Sequence, residues 1–166
     1  ERELSYGATG FALQFQLDTS LEDELRFPLK CRDLIVMDVD PDHAPVKVTF
    51  GSGQEQLDTE LQCAGLKGDR FFRPMHVSDS WEEYAGKIMF VDPAGRGADR
   101  TGFAVVGHLR GQLFLRRAGG LPGGYDDRTL DTLARIAKRE SVNKIVIESN
   151  FGDGMFMQLL KPVVNR

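Results

Sequence analysis

Few cysteines, few histidines and no long apolar run mark this chain, and each shortage removes a class of function. Cys31 and Cys63 are the two cysteines, in unrelated sequence settings and outside any C-x-x-C pair, and His43, His76 and His108 are scattered. Neither a zinc site nor a disulfide framework is therefore expected, and two reduced thiols is the preferred reading. No apolar stretch nears the roughly 20 residues of a membrane span, and no basic-then-apolar signal segment opens the sequence. No G-x-x-x-x-G-K-[ST] word occurs, which excludes a P-loop ATPase from this chain. Nor does any Ser-His or Cys-His arrangement read as a nucleophile and its base.

What is present is 166 residues, enough for one domain with an attached linker. Its opening, Glu1 to Glu3, is charged and reads as the middle of a longer protein. The net charge of −4 is unevenly spread: residues 1–86 hold 8 Lys/Arg against 17 Asp/Glu, and residues 87–166 hold 13 against 8. Local charge governs phosphate neutralisation, so the +5 of the second half is compatible with a nucleic-acid partner and equally with a solvated basic face.

The first half is weakly patterned. Phe11, Leu13, Phe15 and Leu17 alternate as in a strand, and Glu22–Leu25 could begin a helix. Asp33–Val39 and Pro45–Phe50 read as strands, and residues 51 to about 81 as linker or irregular structure. The expected division is 1–85 as linker and 86–166 as the folded domain.

The second half is better punctuated. Lys87–Asp92 reads as a short buried strand stopped by Pro93, and Thr101–Leu109 as a second. Arg110-Gly111 is a two-residue turn into a third strand, Gln112–Arg117, with a glycine-rich break from Gly119 to Gly124. Asp126–Glu140 carries Leu130, Leu133, Ala134, Ile136 and Ala137 at helical spacing, with acids in its first turn and bases in its last. Lys144–Glu148 is a fourth strand, and Met155–Leu160 starts a helix that Pro162 is expected to end.

The order β-β-β-α-β-α predicts an α/β fold with a mixed sheet. Three strands form an antiparallel meander, and a right-handed crossover returns the fourth parallel to the first, giving the ribonuclease H-like spatial order 3-2-1-4. Asp92 and Glu148 would then end neighbouring parallel strands at one sheet edge, about 4.8 Å apart. Paired hard oxygen donors suit Mg²⁺ or Mn²⁺, and two such ions would serve phosphodiester hydrolysis. A strand-end carboxylate is as often a turn or capping residue, so the pair alone leaves the question open.

The words around the acids carry more. Val-Asp92-Pro-Ala-Gly-Arg-Gly-Ala-Asp99-Arg-Thr-Gly and Ile-Glu148-Ser-Asn-Phe-Gly-Asp153-Gly-Met-Phe resemble the two acidic motifs of phage terminase large subunits, most nearly those of short-tailed coliphages, also called DNA maturase B. Gly119-Gly120 and the helix between the motifs fit that pattern, while Phe11–Ser20 and Pro28–Ile35 resemble the stretch joining that family's ATPase motor to its nuclease.

The resemblance implies an endonuclease domain that cuts concatemeric double-stranded DNA as a motor packages it. Asp92 and Glu148 would be its catalytic, metal-binding acids, Asp99 a weaker ligand, and the cofactors two Mg²⁺ or Mn²⁺ ions. It also implies as partners the ATPase domain of the same parent chain, the small terminase subunit and the portal protein, in the host cytoplasm at the procapsid. The family's third acid, final strand and closing helix would lie past Arg166.

Arg96, Arg100, Arg116 and Arg117 are candidate phosphate contacts; Arg96 and Arg100 flank the acids and could steer a phosphate without reading bases. Asp153 reads as a helix cap, and Ser149 and Asn150 as loop-shaping. Two other readings are weighed. An actin- or sugar-kinase-like nucleotide-binding fold also places an Asp and a glycine turn after its first strand, but repeats its fold over a longer chain. A non-catalytic docking module for portal or motor would keep the acids for structure alone.

Overall fold

Alternating apolar residues in the second half build one sheet, and the glycines and prolines between them set its turns. The computed structural model describes residues 30–63, 65–66, 68–95, 99–148 and 154–165. The expected elements at Phe11–Leu17 and Glu22–Leu25, and the cap at Asp153, lie outside the described residues. By backbone proximity the chain divides into two units, Glu1–Met37 with Val48–Val77, and Asp38–Lys47 with Ser78–Arg166.

The first unit is built from small pieces. A 3₁₀ turn spans Cys31–Asp33, and β2 (Val48–Thr49) pairs with β5 (His76–Val77). β3 (Leu57–Asp58) pairs with β4 (Phe71–Phe72). The strand expected at Asp33–Val39 is reduced to one bridge, Ile35 to Phe72, with the Val36 N–H on the Phe72 carbonyl at 2.8 Å. Its β-branched run had suggested a strand, but the 3₁₀ turn at Cys31–Asp33 takes up its first residue. Two-residue strands also occupy the stretch expected to be irregular.

The second unit opens with β1 (His43–Pro45), paired antiparallel to β6 (Trp81–Glu83). The strand expected over Pro45–Phe50 is thus split between β1 and β2. The main sheet holds β7 (Gly86–Asp92), β8 (Arg100–Leu109), β9 (Gln112–Pro122) and β10 (Lys144–Ile147). Its order is β10-β7-β8-β9, with β10 parallel to β7 and the other pairs antiparallel, as the 3-2-1-4 expectation requires. Arg110 and Gly111 have φ of 49° and 80°, the left-handed pair that matches a tight hairpin to strand twist.

β9 runs through the expected glycine break. Gly119 and Gly120 are strand residues opposite Phe103 and Gly102. A Cβ on Gly119 would stand 3.1 Å from the Phe103 ring, and one on Gly120 3.3 Å from the Arg100 side chain. These glycines make room for neighbours; they do not stop the strand.

Two helices complete the unit. α1 spans Asp127–Arg139, and Asp126 caps it by accepting the Thr129 N–H at 2.9 Å. α2 spans Met155–Val164 and continues past Pro162, its last turn closed by the Asn165 N–H on the Lys161 carbonyl. A proline that near a helix end forfeits one backbone bond, so the cost is small. Both helices cover the same sheet face. There Met89, Val91, Phe103 and Val105 pack against Leu130, Leu133, Ile136, Phe156 and Leu160.

Among the described residues no helix covers the other face. Phe90 is 44% exposed there, with Val146, Leu113 and Leu115 also exposed. The strand read as buried, β7, is therefore buried on one side only. No described helix is long and apolar enough to cross a membrane.

Candidate active site

Asp92 ends β7, and Glu148 is the first residue after β10. The parallel register pairs Ile147 with Val91, and the Glu148 N–H donates to the Val91 carbonyl at 2.9 Å, which brings Glu148 alongside Asp92. Strand parity does the rest. Phe90 and Asp92 on β7, Val146 on β10 and Glu148 just past it are the exposed positions, while Met89 and Val91 on β7 are buried. Both carboxylates thus stand on the helix-free face, at the same end of adjacent strands.

They line a shallow open cleft of about 520 Å³, with Phe90, Ala104 and Val146 among its other walls. Gly102 is the β8 partner of Asp92, and a Cβ there would come 3.7 Å from the Asp92 Cβ. This glycine keeps the acid's flank open. A larger opening of about 870 Å³ lies where α1, α2 and the start of β10 meet. It is lined by Arg135, Lys138 and Lys144 with a lone carboxylate, Asp131, so size does not make it the better site for acid-dependent chemistry.

The acids are anchored at both ends of their strands. At the start of the parallel pair, the Asn143 side-chain oxygen accepts the Lys87 N–H at 2.7 Å, and the Asn143 N–H donates to the Lys87 carbonyl at 2.9 Å. Past Asp92, the fully buried Thr101 hydroxyl accepts the Ala94 N–H at 3.0 Å and donates to the Gly123 carbonyl at 3.0 Å. One side chain therefore ties the loop leaving Asp92 to the loop leaving β9. Gly124 lies close enough that a Cβ would sit 2.6 Å from the Ala94 carbonyl oxygen. Sequence reading had passed over Thr101; its position nine residues after the acid carried no chemical signal.

The remaining candidates separate. Asp99 is exposed just before β8 and is not among the residues lining the cleft. Arg100 begins β8 on the same parity as Gly102, hence on the face of the acids, and packs over Gly120. Arg96 lies outside the described residues, as do Ser149 and Asn150.

Arg116 and Arg117 are not brought to the acids. A bulge between Val105 and Val106 shifts the register of β9 there. Both guanidiniums turn to Glu140 just past α1, at 3.9 and 3.6 Å, and Arg116 also donates to the Val39 carbonyl at 2.8 Å. Arg116 is almost buried in this cluster, so its charge is spent internally.

The two cysteines, expected in unrelated settings, are neighbours. Both thiols are free, and Cys31, Cys63 and Asp69 hold their donor atoms within 4.8 Å of one another in the first unit.

Residues 91–166 match the family model described as Terminase Bacteriophage T7, Ribonuclease H-like domain. The chain is 43% identical over 164 residues to the large terminase subunit of Enterobacteria phage T3, covering 99% of this chain and 28% of that protein. It thus spans little more than a quarter of that relative's length. A solved structure of the Aquifex aeolicus PPX-GPPA enzyme is similar at 10% identity, over 49% of this chain and 34% of that one, with a TM-score of 0.37, too distant to bear on fold or function. Family match and whole-chain identity agree with the sheet order: the chain belongs to the large terminase subunits of tailed bacteriophages, and its mixed sheet with two helices is their ribonuclease H-like domain.

Proposed function

We propose that this chain carries the endonuclease site of a genome-packaging terminase, with Asp92 and Glu148 as its catalytic, metal-binding acids. The supporting observation is their placement on one exposed face, at one end of adjacent parallel strands, lining a common cleft. Ribonuclease H-like nucleases use divalent metals, and two hard carboxylates beside an unobstructed glycine fit Mg²⁺ or Mn²⁺. When bound, two such ions would neutralise charge developing on the attacking and leaving oxygens of the phosphodiester.

The chain's own residues do the positioning. Asp92 and Glu148 would hold the ions, with Asp99 as a candidate outer ligand. Arg100, on the same face, steers the scissile phosphate without reading bases. Arg96 is a further candidate from sequence. Thr101 fixes the loop that leaves Asp92. In the parent protein the substrate is concatemeric double-stranded DNA, cut to length as it is packaged. The partners are the ATPase domain of the same chain, the small subunit and the portal, in the host cytoplasm. Residues 86–166 would form the nuclease domain and 1–85 the linker and motor tail.

Mn²⁺ titration followed by electron paramagnetic resonance tests the site on the chain itself. Free Mn²⁺ signal is expected to fall as the ion binds, and Asp92→Ala and Glu148→Ala should each weaken binding about 10-fold or more. Unchanged affinity in both variants would remove the acids from the metal site.

A further inference from the structure

No apolar side chain is buried among the described residues of the first unit. Among its described residues the buried ones are Asp58 and Asp69, and each of its strands is two residues long. Small bodies are commonly held by a covalent or metal staple. Donors for one are present where Cys31, Cys63 and Asp69 converge.

Asp69 is held rigidly in place. Its carboxylate accepts backbone N–H groups from Cys31 at 2.7 Å, Arg32 at 3.0 Å and Arg70 at 3.0 Å. Those three bonds leave about one of its four acceptor positions, on the side where the Cys31 thiol hydrogen-bonds it. Gly65 completes the enclosure, since any side chain there would collide with the carboxylate.

We infer that Cys31, Cys63 and Asp69 form a site for one thiophilic divalent ion of the Zn²⁺ class, separate from the nuclease acids, which staples the 3₁₀ turn to the 63–69 loop. Two sulfurs and one carboxylate oxygen within 4.8 Å of each other match three corners of a tetrahedron around such an ion. Soft thiolates disfavour Mg²⁺. Binding exchanges two thiol protons for the ion: both protons pass to solvent and both sulfurs bind as thiolates. Solvent fills the fourth position, consistent with the partial exposure of both cysteines.

Co²⁺ is the probe, added to the full chain after chelation and reduction. One equivalent should produce thiolate-to-cobalt charge transfer in the near ultraviolet and the strong visible bands of a tetrahedral ion. Asp92→Ala should keep this spectrum, since the nuclease acids offer cobalt only oxygen. Cys31→Ser and Cys63→Ser should each lose it as a one-equivalent signal. Cys63→His should restore binding with roughly half the charge-transfer intensity, one thiolate remaining. Absence of charge transfer in the wild-type chain, which needs no variant to fold, would overturn the site. So would an unchanged spectrum in both serine variants, or a Cys31–Cys63 disulfide in the chain as isolated under metal-replete conditions.

Discussion

Replacing Thr101 by valine keeps shape and volume while deleting one hydroxyl that serves two backbone groups. The side chain is fully buried, so water cannot reach either partner without opening the loop. The Ala94 N–H loses its acceptor and the Gly123 carbonyl its donor. An orphaned buried group costs about 1–3 kcal/mol, so the pair should cost about 2–4 kcal/mol if one of them recovers a partner partially. For a chain of this size that lowers Tm by roughly 5–15 °C. Thr101→Ser keeps the hydroxyl and loses a methyl, costing about 1 kcal/mol. Calorimetry with amide hydrogen exchange at Ala94 reads both effects. The valine variant should lose protection at Ala94 and also bind Mn²⁺ more weakly, because the loop after Asp92 is released. A valine variant as stable as the serine one, with Ala94 still protected, would refute the assignment.

Two other outcomes follow from packing and charge. Gly107→Ala places a Cβ 2.6 Å from the Tyr84 ring, which is held edge-on to Phe114 and donates its hydroxyl to the Asp40 carbonyl at 3.2 Å. The ring cannot step aside freely, so the variant should lose about 1–3 kcal/mol in urea unfolding, and no change in midpoint would contradict that. In acid, Asp58 and Asp69 should govern the first unit. The Arg73 guanidinium and the Leu61 and Glu60 amides lower the Asp58 carboxyl; at Asp69 burial opposes ionisation, but three backbone amides outweigh it. Depressed folded values mean stability present above the ordinary carboxylate range, near pH 4, and lost as pH falls through the lower folded values. Fluorescence-monitored unfolding against pH should show this loss, and Asp58→Asn and Asp69→Asn should each flatten it.

Strand order and the acidic pair were readable because both rest on local pattern. Short apolar runs, the Arg110-Gly111 turn and the 127–139 periodicity each report on a few adjacent residues, and topology then makes Asp92 and Glu148 neighbours. What escaped reading depends on contacts distant in sequence. Gly119 and Gly120 look like a break until Phe103 and Arg100 are seen opposite them. Arg116 and Arg117 look like a basic patch until the bulge at Val105 and the reach of Glu140 turn them to the helix side. Cys31 lies far in sequence from Cys63 and Asp69, with no spacing signature, so their convergence is tertiary. Pro162 looks like a helix stop, but its cost depends on how many helical bonds it removes, and so near the end of α2 that is small.

The most direct test of the nuclease assignment is metal-dependent cleavage of supercoiled plasmid by protein carrying this domain. Cutting is expected with Mn²⁺ or Mg²⁺, none with chelator, and a loss of about 100-fold or more in both Asp92→Ala and Glu148→Ala, as for removal of a group stabilising charge in the transition state. Cleavage at the wild-type rate by either variant would contradict it.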